Sequence, residues 1–530
     1  MLKFSSAQAR RFARDKRGNA AILFGLAIIP IILIVGVTID YGRAMTVRGT
    51  ISDAADSAAL AIGSWVGLSE TELEDKAQRF FDANYASSLS KDIKSNFKVS
   101  FIGDDIVVKA TASVPTTFLR LANVDSLDVG IQNTITKRQR NIELALVLDT
   151  TGSMGSSGKM NAMKAAAKSM VDDLFGKQSI SDTLDVAVVP FAAAVNVGAD
   201  KRNEDWLDKG AYPNMSSISK ENFDFNNGES LLDISDELKS RRGSWAWQGC
   251  VRERAEPYEL TDATPVRGDR DTLFTPYVAP DEPDDDNGGS YNGNTYVEDD
   301  GCGVSNNGGG WGGWGGWGGG GWGGNGNNAT PQQCQEYTGK YFSPSTDRSS
   351  ASPNLHCPPT AITALSDSKT TVTNAINALQ PSGNTVIPAG LLWGWRVLSP
   401  GAPFTEAEPY DEEERVKAIV LLTDGENNVG GGQSFNGSTF NAFGFKSNGH
   451  LGSNPNSELN SKTQTVCNNI KAKGIRIYTI GFRINDSTTQ NLLKNCASKP
   501  DMYYNSPSNS QLAAIFSEIA QGLSELRIAQ

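Results

Sequence analysis

A run of 20 consecutive uncharged residues near the N-terminus constrains this 530-residue chain more than any other feature. The run is AAILFGLAIIPIILIVGVTI, from Ala20 to Ile39, and a helix needs about 20 apolar residues to cross a bilayer. Pro30 is tolerated there because neighbouring groups can satisfy the freed carbonyl. A cleaved secretory signal would have an apolar region of only ~7–15 residues. We therefore predict a single transmembrane helix over residues 18–40.

The charges that flank this run predict its orientation. The first 17 residues carry six basic side chains against Asp15 alone, whereas almost no positive charge follows the run directly. By the positive-inside rule, residues 1–17 form a cytoplasmic basic tail and the chain beyond Asp40 lies outside the cytoplasm. The whole chain has a formal net charge of −12, so its bulk is acidic and we expect no nucleic-acid partner.

Residues 41–90 have the pattern of a helical stalk. Apolar residues with small side chains recur at helical spacing; they are Ile51, Ala54, Ala55, Ala58, Ala59, Ile62 and Trp65. This face is either an assembly surface or simply a helix that continues out of the membrane. A second helix is predicted over Glu70–Tyr85. Residues 91–140 form a small β region, because Val99–Phe118 alternates apolar and polar residues and is rich in β-branched side chains.

The stretch KRGNAAILFGLAIIP, followed by IDYGRAMTVRGTISDAADSAALA, resembles the N-terminal segment of TadE/TadG-like proteins of tight-adherence (Flp) pilus assembly. The resemblance covers about residues 16–62. It implies a single-pass protein of the bacterial inner membrane whose bulk is periplasmic or otherwise extracytoplasmic. Pilins of that system are cut after a glycine and carry a glutamate five residues on, where this chain has Leu23. We therefore expect an anchor that is not cleaved after Gly18.

A polar loop, DTTGSMGSSGK, follows the apolar pentapeptide Leu144–Leu148. The pentapeptide is typical of a buried parallel strand, and a helical stripe of apolar residues begins at Met160. Open α/β sheets place ligands at such strand ends. A phosphate loop is excluded because five residues separate Gly152 from Gly158 and Lys159 is followed by methionine. A serine nucleophile needs a base, yet only His356 and His450 exist and neither lies in a motif, so we expect no enzyme.

The remaining chemistry is a hard cation bound by oxygen. Asp149, Thr151 and Ser153 alternate along the loop, so their oxygens can converge. A second apolar strand, Val416–Leu422, is followed by Asp424, and Thr385 precedes another predicted helix. Mg²⁺ requires nearly octahedral oxygen ligation, so three side chains of one loop need ligands from elsewhere. The alternative is that these residues only cap a helix and form a turn.

The five residues resemble the metal-ion-dependent adhesion site of von Willebrand factor A domains. That family's pattern is Asp-x-Ser-x-Ser with a distant threonine and a distant aspartate; here Thr151 replaces the first serine but keeps a hydroxyl. The resemblance implies Mg²⁺ (or Mn²⁺) held by Asp149, Thr151, Ser153, Thr385 and Asp424. It also implies a protein partner that presents a carboxylate to the metal. The alternative is that the chain has the A-type fold but binds no metal at this site.

The rest of residues 141–530 fits one doubly wound, mostly parallel sheet. Asp185–Ala192 and Gly474–Phe482 are predicted strands. Helices are predicted near residues 366–380, 386–398, 457–473, 486–497 and 508–527. Alternation of strand and helix is typical of this α/β architecture.

An irregular insertion at residues 196–360 interrupts this domain. It contains an acidic run, Asp281–Gly289, which we interpret as solvated surface, and a Gly/Trp-rich loop at 303–328. Glycine at that density cannot supply a core, so a mobile loop is predicted, with its tryptophans either inert or contacting a partner.

Six cysteines in an extracytoplasmic compartment suggest disulfides, although six allow 15 pairings. We predict Cys302–Cys334, which would close the Gly/Trp-rich loop, together with Cys250–Cys357 and Cys467–Cys496. Zinc is the weaker alternative because no Cys-x-x-Cys pair exists.

Taken with its resemblances, the sequence predicts a membrane-anchored, non-enzymatic protein of Flp pilus assembly or surface adhesion. Its expected partners are pilus or pilus-assembly components, engaged through the divalent cation. The alternative is an envelope or secretion scaffold whose A-type domain binds partners without metal.

Overall fold

The computed structural model describes most of the chain in two compact units, which divide in sequence between residues 138 and 139. The described residues are 19–63, 69–86, 93–102, 105–136, 141–210, 215–225, 228–283, 294–297, 330–342, 351–412, 415–431 and 435–527. The basic tail, Trp65, Cys302 and the Gly/Trp-rich loop lie outside them.

The first unit combines two helices with a three-stranded antiparallel sheet. Its elements are α1 (Asn19–Gly63), α2 (Glu70–Ala86), β1 (Lys94–Ile102), β2 (Asp105–Pro115) and β3 (Ser126–Thr136), with β2 central. Helix α1 is continuous across the predicted end of the membrane span at residue 40. Within the described residues, it is the one helix long and apolar enough to cross a membrane.

Helix α1 has an exposed part and a packed part. The large apolar side chains from Ile22 to Ile39 are exposed, except for the partly buried Leu33. A buried stripe begins at Gly36 and continues through Asp40, Ala44 and Val47 to Ile62. Residues of this stripe share a core with β1, β2 and α2. The small-residue face is thus buried inside the unit, which removes it as a free assembly surface.

The second unit is a sheet with helices on both faces. Its strands are β4 (Asn141–Asp149), β5 (Leu184–Phe191), β6 (Val195–Asn196), β7 (Cys250–Arg252), β8 (Thr275–Pro276), β9 (Thr363–Ser366), β10 (Arg415–Thr423), β11 (Arg476–Phe482) and β12 (Tyr503–Ser506). Its helices are α3 (Lys159–Phe175), α4 (Ser217–Lys220), α5 (Leu231–Arg241), α6 (Pro331–Glu336), α7 (Gly339–Phe342), α8 (Lys369–Ala378), α9 (Ile387–Arg396), α10 (Pro455–Ala472), α11 (Ser487–Cys496) and α12 (Asn509–Arg527).

The sheet confirms the predicted parallel, doubly wound architecture. Strands run in the order β12-β11-β10-β4-β5, all parallel, and continue antiparallel through β6, β7 and β8, with β9 also antiparallel to β5. Alternate residues of β4 face two cores: Leu144 and Leu146 pack with α3, α8 and α12. Ala145 and Val147 pack on the other side with α9, α10 and α11. Burial on both faces explains why these strands are continuously apolar.

The insertion is more ordered than its sequence predicts. It contributes β7 and β8 to the edge of the sheet. It also forms an aromatic core of its own, which includes Phe223, Trp245, Tyr296 and Tyr341.

The interpretation of the acidic run as solvated surface is wrong for its first two residues. Asp281 and Glu282 are 0% and 2% exposed. Asp281 accepts hydrogen bonds from the backbone N–H groups of Tyr296 and Val297 and lies 3.0 Å from the buried Lys340 ammonium. These partners offset the cost of burying the carboxylate. Residues 284–289 of the run lie outside the described residues.

Candidate metal centre

The two proposed carboxylates meet at the carboxyl ends of two neighbouring parallel strands. Strand β4 ends at Asp149 and β10 ends at Thr423, with Leu148 opposite Leu422 in the register. The buried Asp149 accepts from the Thr423 hydroxyl at 2.7 Å and from the Asp424 backbone N–H at 3.3 Å. Adjacent apolar strands therefore bring together residues that are 275 positions apart in the chain.

The loop after β4 adds two hydroxyl groups to these carboxylates. The Thr151 N–H donates to Asp149 Oδ1 at 2.8 Å, which folds the loop back over the strand end. Thr151 Oγ1 then lies 3.0 Å from Ser153 Oγ, and Ser153 Oγ donates to Asp424 Oδ1 at 2.6 Å. Four of the five predicted ligand residues are thus joined in one chain of short contacts.

Thr385 lies beside this group on a third segment. The segment is fixed to the first loop because Gly152 N–H donates to the Gly383 carbonyl at 2.9 Å. It is fixed to the loop after β10 by the reciprocal backbone hydrogen bonds of Thr385 and Asn428. A Cβ placed on Gly425 would lie 3.9 Å from Thr385 Oγ1, so this hydroxyl faces the Asp424–Gly425 turn.

The donor set fits a small hard cation. Mg²⁺ prefers oxygen ligands at about 2.1 Å, which places neighbouring octahedral ligands about 3 Å apart. The Thr151 and Ser153 hydroxyl oxygens have this separation. No group of three or more His, Cys, Asp and Glu residues suited to a metal occurs among the described residues. The hydroxyl groups would consequently be necessary ligands, with water completing the shell.

Electrostatics also favour a cation beside Asp149. Burial, together with the neighbouring charge of Asp424, raises the pKa of Asp149 to about 6, although hydrogen bonds from Thr151 and Thr423 oppose the shift. Two carboxylates close together in a buried site repel each other unless positive charge is supplied. A divalent cation would supply that charge.

Lys159 is a further member of this site, and it was not predicted from the sequence. Its ammonium group lies 2.7 Å from Asp424 Oδ2, and the Asp424 side chain is 0% exposed. Lys159 is the first residue of α3, where a basic side chain is unfavourable because the helix N-terminus carries partial positive charge. A lysine at this unfavourable position is the feature of the sequence that indicates a nearby acidic partner.

Neither histidine forms part of this site. His450 Nε2 lies 3.0 Å from Glu221 in the insertion, and His356 is packed against Gly383. Burial lowers the pKa of His356. The Ser153 hydroxyl donates to Asp424 Oδ1 and is not paired with either histidine among the described contacts.

Two predicted disulfides join elements around the sheet. Cys250 of β7 pairs with Cys357, and Cys467 of α10 pairs with Cys496 of α11. The first bridge lies within the insertion and ties β7 to its last residues, from which the chain returns to β9. The predicted Cys302–Cys334 pair involves a residue outside the described part of the chain, so it stays a prediction.

Two family comparisons agree with this anatomy. Residues 18–63 match the family described as putative Flp pilus-assembly TadE/G-like, and residues 358–518 match the von Willebrand factor type A domain. The chain joins a TadE/G-like segment to a von Willebrand factor A domain. The second match starts at residue 358, at the very end of the insertion, whereas strands β4 and β5 of the same sheet and the helix α3 between them precede the insertion. The A domain is therefore split in sequence by the insertion.

Solved structures give more distant likenesses. The vWF domain of the type V pili tip protein Mfa5 from Porphyromonas gingivalis is 10% identical, covers 74% of this chain and 97% of its own, and has a TM-score of 0.33. The pilus adhesin SpaC from Lactobacillus rhamnosus GG gives 11% identity, 82% and 35% coverage and a TM-score of 0.32.

A further likeness is to proximal thread matrix protein 1 from the mussel byssus, with a zinc-occupied MIDAS motif. It has 14% identity, 73% and 46% coverage and a TM-score of 0.29. The chain thus spans less than half the length of the last two proteins. Among curated protein sequences, none matches this chain.

Proposed function

We propose that this chain is a membrane-anchored, non-enzymatic protein of Flp pilus assembly or surface adhesion, which binds a protein partner through a divalent cation. The observation that carries the proposal is the convergence of Asp149, Thr151, Ser153, Thr385 and Asp424 at one edge of the A domain. Mg²⁺ or Mn²⁺ held there would offer a coordination position to a partner's carboxylate. The TadE/G-like segment makes pilus or pilus-assembly components the expected partners.

The exposed apolar part of α1 supports the anchor. A helix that exposes most of its large apolar side chains from Ile22 to Ile39 is stable when those side chains contact lipid. The basic tail before it favours a cytoplasmic N-terminus, which would place both folded units in the periplasm of a bacterium with two membranes. Carbonate extraction of the full chain from cell membranes tests this anchor. Release into the soluble fraction would contradict it.

Metal binding is tested by titrating the detergent-solubilised full chain with Mg²⁺ and Mn²⁺ in a calorimeter. Ser153→Ala is the sharpest variant because the side chain is exposed and its removal leaves the buried core intact. We expect this variant to lose binding. Ser157→Ala, in the same loop, serves as the matched control and should bind as the unmodified chain does. Absence of binding by the unmodified chain, or binding unaltered in Ser153→Ala, would contradict the metal site.

One observation favours the second candidate, a partner-binding A domain that uses no metal. Lys159 already supplies a positive charge to Asp424, so the edge of the sheet is electrostatically balanced at that carboxylate without an added cation. Co-purification of pilus components with the full chain, in the presence and absence of chelator, separates the two. Loss of the partner with chelator supports the metal; retention supports the scaffold.

A further inference from the structure

The turn between β2 and β3, residues 116–125, exposes apolar side chains at one end of the three-stranded sheet. Leu121 is 74% exposed and Val124 is 38% exposed. Phe118 and Leu119, which precede them, are half-buried. Two neighbouring apolar side chains exposed on one turn mark a candidate contact surface.

Hydrogen bonds fix this turn to helix α1 at the end of its apolar stretch. Asp40 Oδ1 accepts from the Thr117 N–H at 3.0 Å, and Asp40 Oδ2 accepts from the N–H groups of Phe118 at 2.8 Å and Leu119 at 2.7 Å. Three backbone donors satisfy the carboxylate, so it does not depend on water for its hydrogen bonds. The position of the turn along α1 is therefore well defined.

The turn also contacts α1 on the N-terminal side of Asp40, within the apolar stretch. Gly36 is buried because Phe118 packs directly on it, and a Cβ at Gly36 would overlap the Phe118 side chain. Four residues of helix correspond to about 6 Å along the axis. The turn consequently lies beside the last turn of the apolar run. Tyr41, 56% exposed, follows directly, and tyrosine is enriched at membrane interfaces.

We propose that the turn at residues 116–125 inserts Leu121 and Val124 into the bilayer that α1 spans, in the leaflet nearest Asp40. The occupant of this surface is lipid, because Phe118 of the same turn packs on Gly36, which lies inside the exposed apolar stretch of α1. Arg120 and Asp125, paired at 3.4 Å with side chains 75% and 82% exposed, would lie among the headgroups. The turn gives the first unit a second membrane contact and sets its height above the lipid.

This inference rests on the proposed anchor, and spin labels distinguish the two. The full chain is reconstituted in phosphatidylcholine–phosphatidylglycerol vesicles with a nitroxide at Leu121→Cys, Ile32→Cys or Ile102→Cys. Cysteines among the described residues are disulfide-bonded, and the unmodified chain carried through labelling measures any background. Collision rates with oxygen, which concentrates in lipid, and with a water-soluble nickel chelate report the depth of each label.

Ile32, on the apolar stretch, reports the anchor. Ile102, 66% exposed, is the matched control because it lies opposite Asp105 at the far end of the sheet, about 33 Å from Pro115.

We expect collisions with oxygen to dominate for the labels at residues 32 and 121, and collisions with the nickel chelate to dominate for the label at residue 102. If collisions with the nickel chelate dominate at residue 121 while the label at residue 32 is exposed to lipid, this inference is overturned but the proposed membrane anchor is not. A label at 121 that neither reagent reaches would indicate a protein cover, which also overturns it. Water exposure at 32 would overturn both proposals.

Discussion

The ammonium group of Lys159 lies 2.7 Å from Asp424 Oδ2, on the first turn of the helix that follows the candidate metal loop. The pair places a fixed positive charge against one of the two proposed metal-binding carboxylates. A divalent cation that binds Asp424 must therefore either share that carboxylate with the Lys159 ammonium or displace the ammonium.

Replacing Lys159 with methionine should tighten divalent-cation binding. The substitution keeps an unbranched side chain and removes the competing charge, so we expect the Mg²⁺ dissociation constant to fall by about tenfold, equivalent to ~1.4 kcal/mol. Calorimetric titration of the full chain at pH 7.5 measures it. Lys168→Met, about 13 Å further along α3, is the control for loss of a positive charge. Weaker binding by Lys159→Met would show that the lysine supports the loop rather than competes with the metal.

Thr151 departs from the serine found in the family pattern, and its hydroxyl is the predicted ligand. Thr151→Ser keeps the hydroxyl and should keep Mg²⁺ affinity within about threefold, equivalent to ~0.7 kcal/mol. Thr151→Val keeps the shape but removes the oxygen that lies 3.0 Å from Ser153 Oγ, so binding should weaken by at least about tenfold. The same titration reports both variants. Equal affinities for the serine and valine variants would exclude Thr151 as a ligand.

Glu282 should make the protein less stable as pH rises. Its burial, with the nearby charge of Asp281, raises its pKa to about 7, while a hydrogen bond from Asn436 opposes the shift. Between about pH 4.5 and 7 the folded chain holds a proton that the unfolded chain releases, so unfolding free energy falls across that window as pH increases. Glu282→Gln removes this titration and keeps an acceptor for Asn436. The variant should be more stable at pH 8 by on the order of 2 kcal/mol.

Thermal unfolding midpoints at pH 5 and pH 8 measure this effect. The unmodified chain should lose more stability between the two values than Glu282→Gln does. The exposed Glu412→Gln is the control and should follow the unmodified chain. A pH dependence that is the same in all three proteins would show that Glu282 does not titrate in this window.

Long apolar runs made the core of the A domain predictable from sequence. Strands β4 and β10 contain the continuous apolar runs 144–148 and 418–422, because both faces of the sheet are buried there. Each run is followed by a polar turn that carries proposed ligands. The resemblance to A domains placed Asp149 and Asp424 in one ligand set. The structure brings them together because the carboxyl ends of the neighbouring parallel strands β4 and β10 share an edge.

Other features depended on contacts that no local pattern encodes. Strands β6, β7 and β8 are two or three residues long, too short to show a period. Asp281 is polar in sequence yet buried, because Lys340 and two backbone N–H groups satisfy it. Lys159 contacts Asp424, which lies 265 positions further along the chain. The one sequence signal for this contact is a basic residue at a helix N-terminus, where positive charge is unfavourable.

Gly394 shows a further constraint that the sequence did not reveal. It lies in α9, and a Cβ at this position would overlap Cγ2 of Val147 on β4. Gly394→Ala should therefore destabilise the A domain by about 1–3 kcal/mol through overpacking, although alanine is otherwise the better helix former. Val147→Ala removes the overlapping methyl group. The double variant should accordingly lose less stability than the two single variants together, by about 1 kcal/mol or more.

Chemical unfolding of the four proteins measures this coupling between helix and strand. Gly522→Ala is the matched control, because Gly522 lies in α12 with no atom within 4 Å of an added Cβ. That substitution should stabilise by roughly 0.5–1 kcal/mol, since only the helix propensity changes. Strict additivity of Gly394→Ala and Val147→Ala would mean that α9 can move away from β4 at little cost. The Thr385 segment, which leads directly into α9, would then be held by its backbone bonds to Asn428 rather than by the packing of the helix.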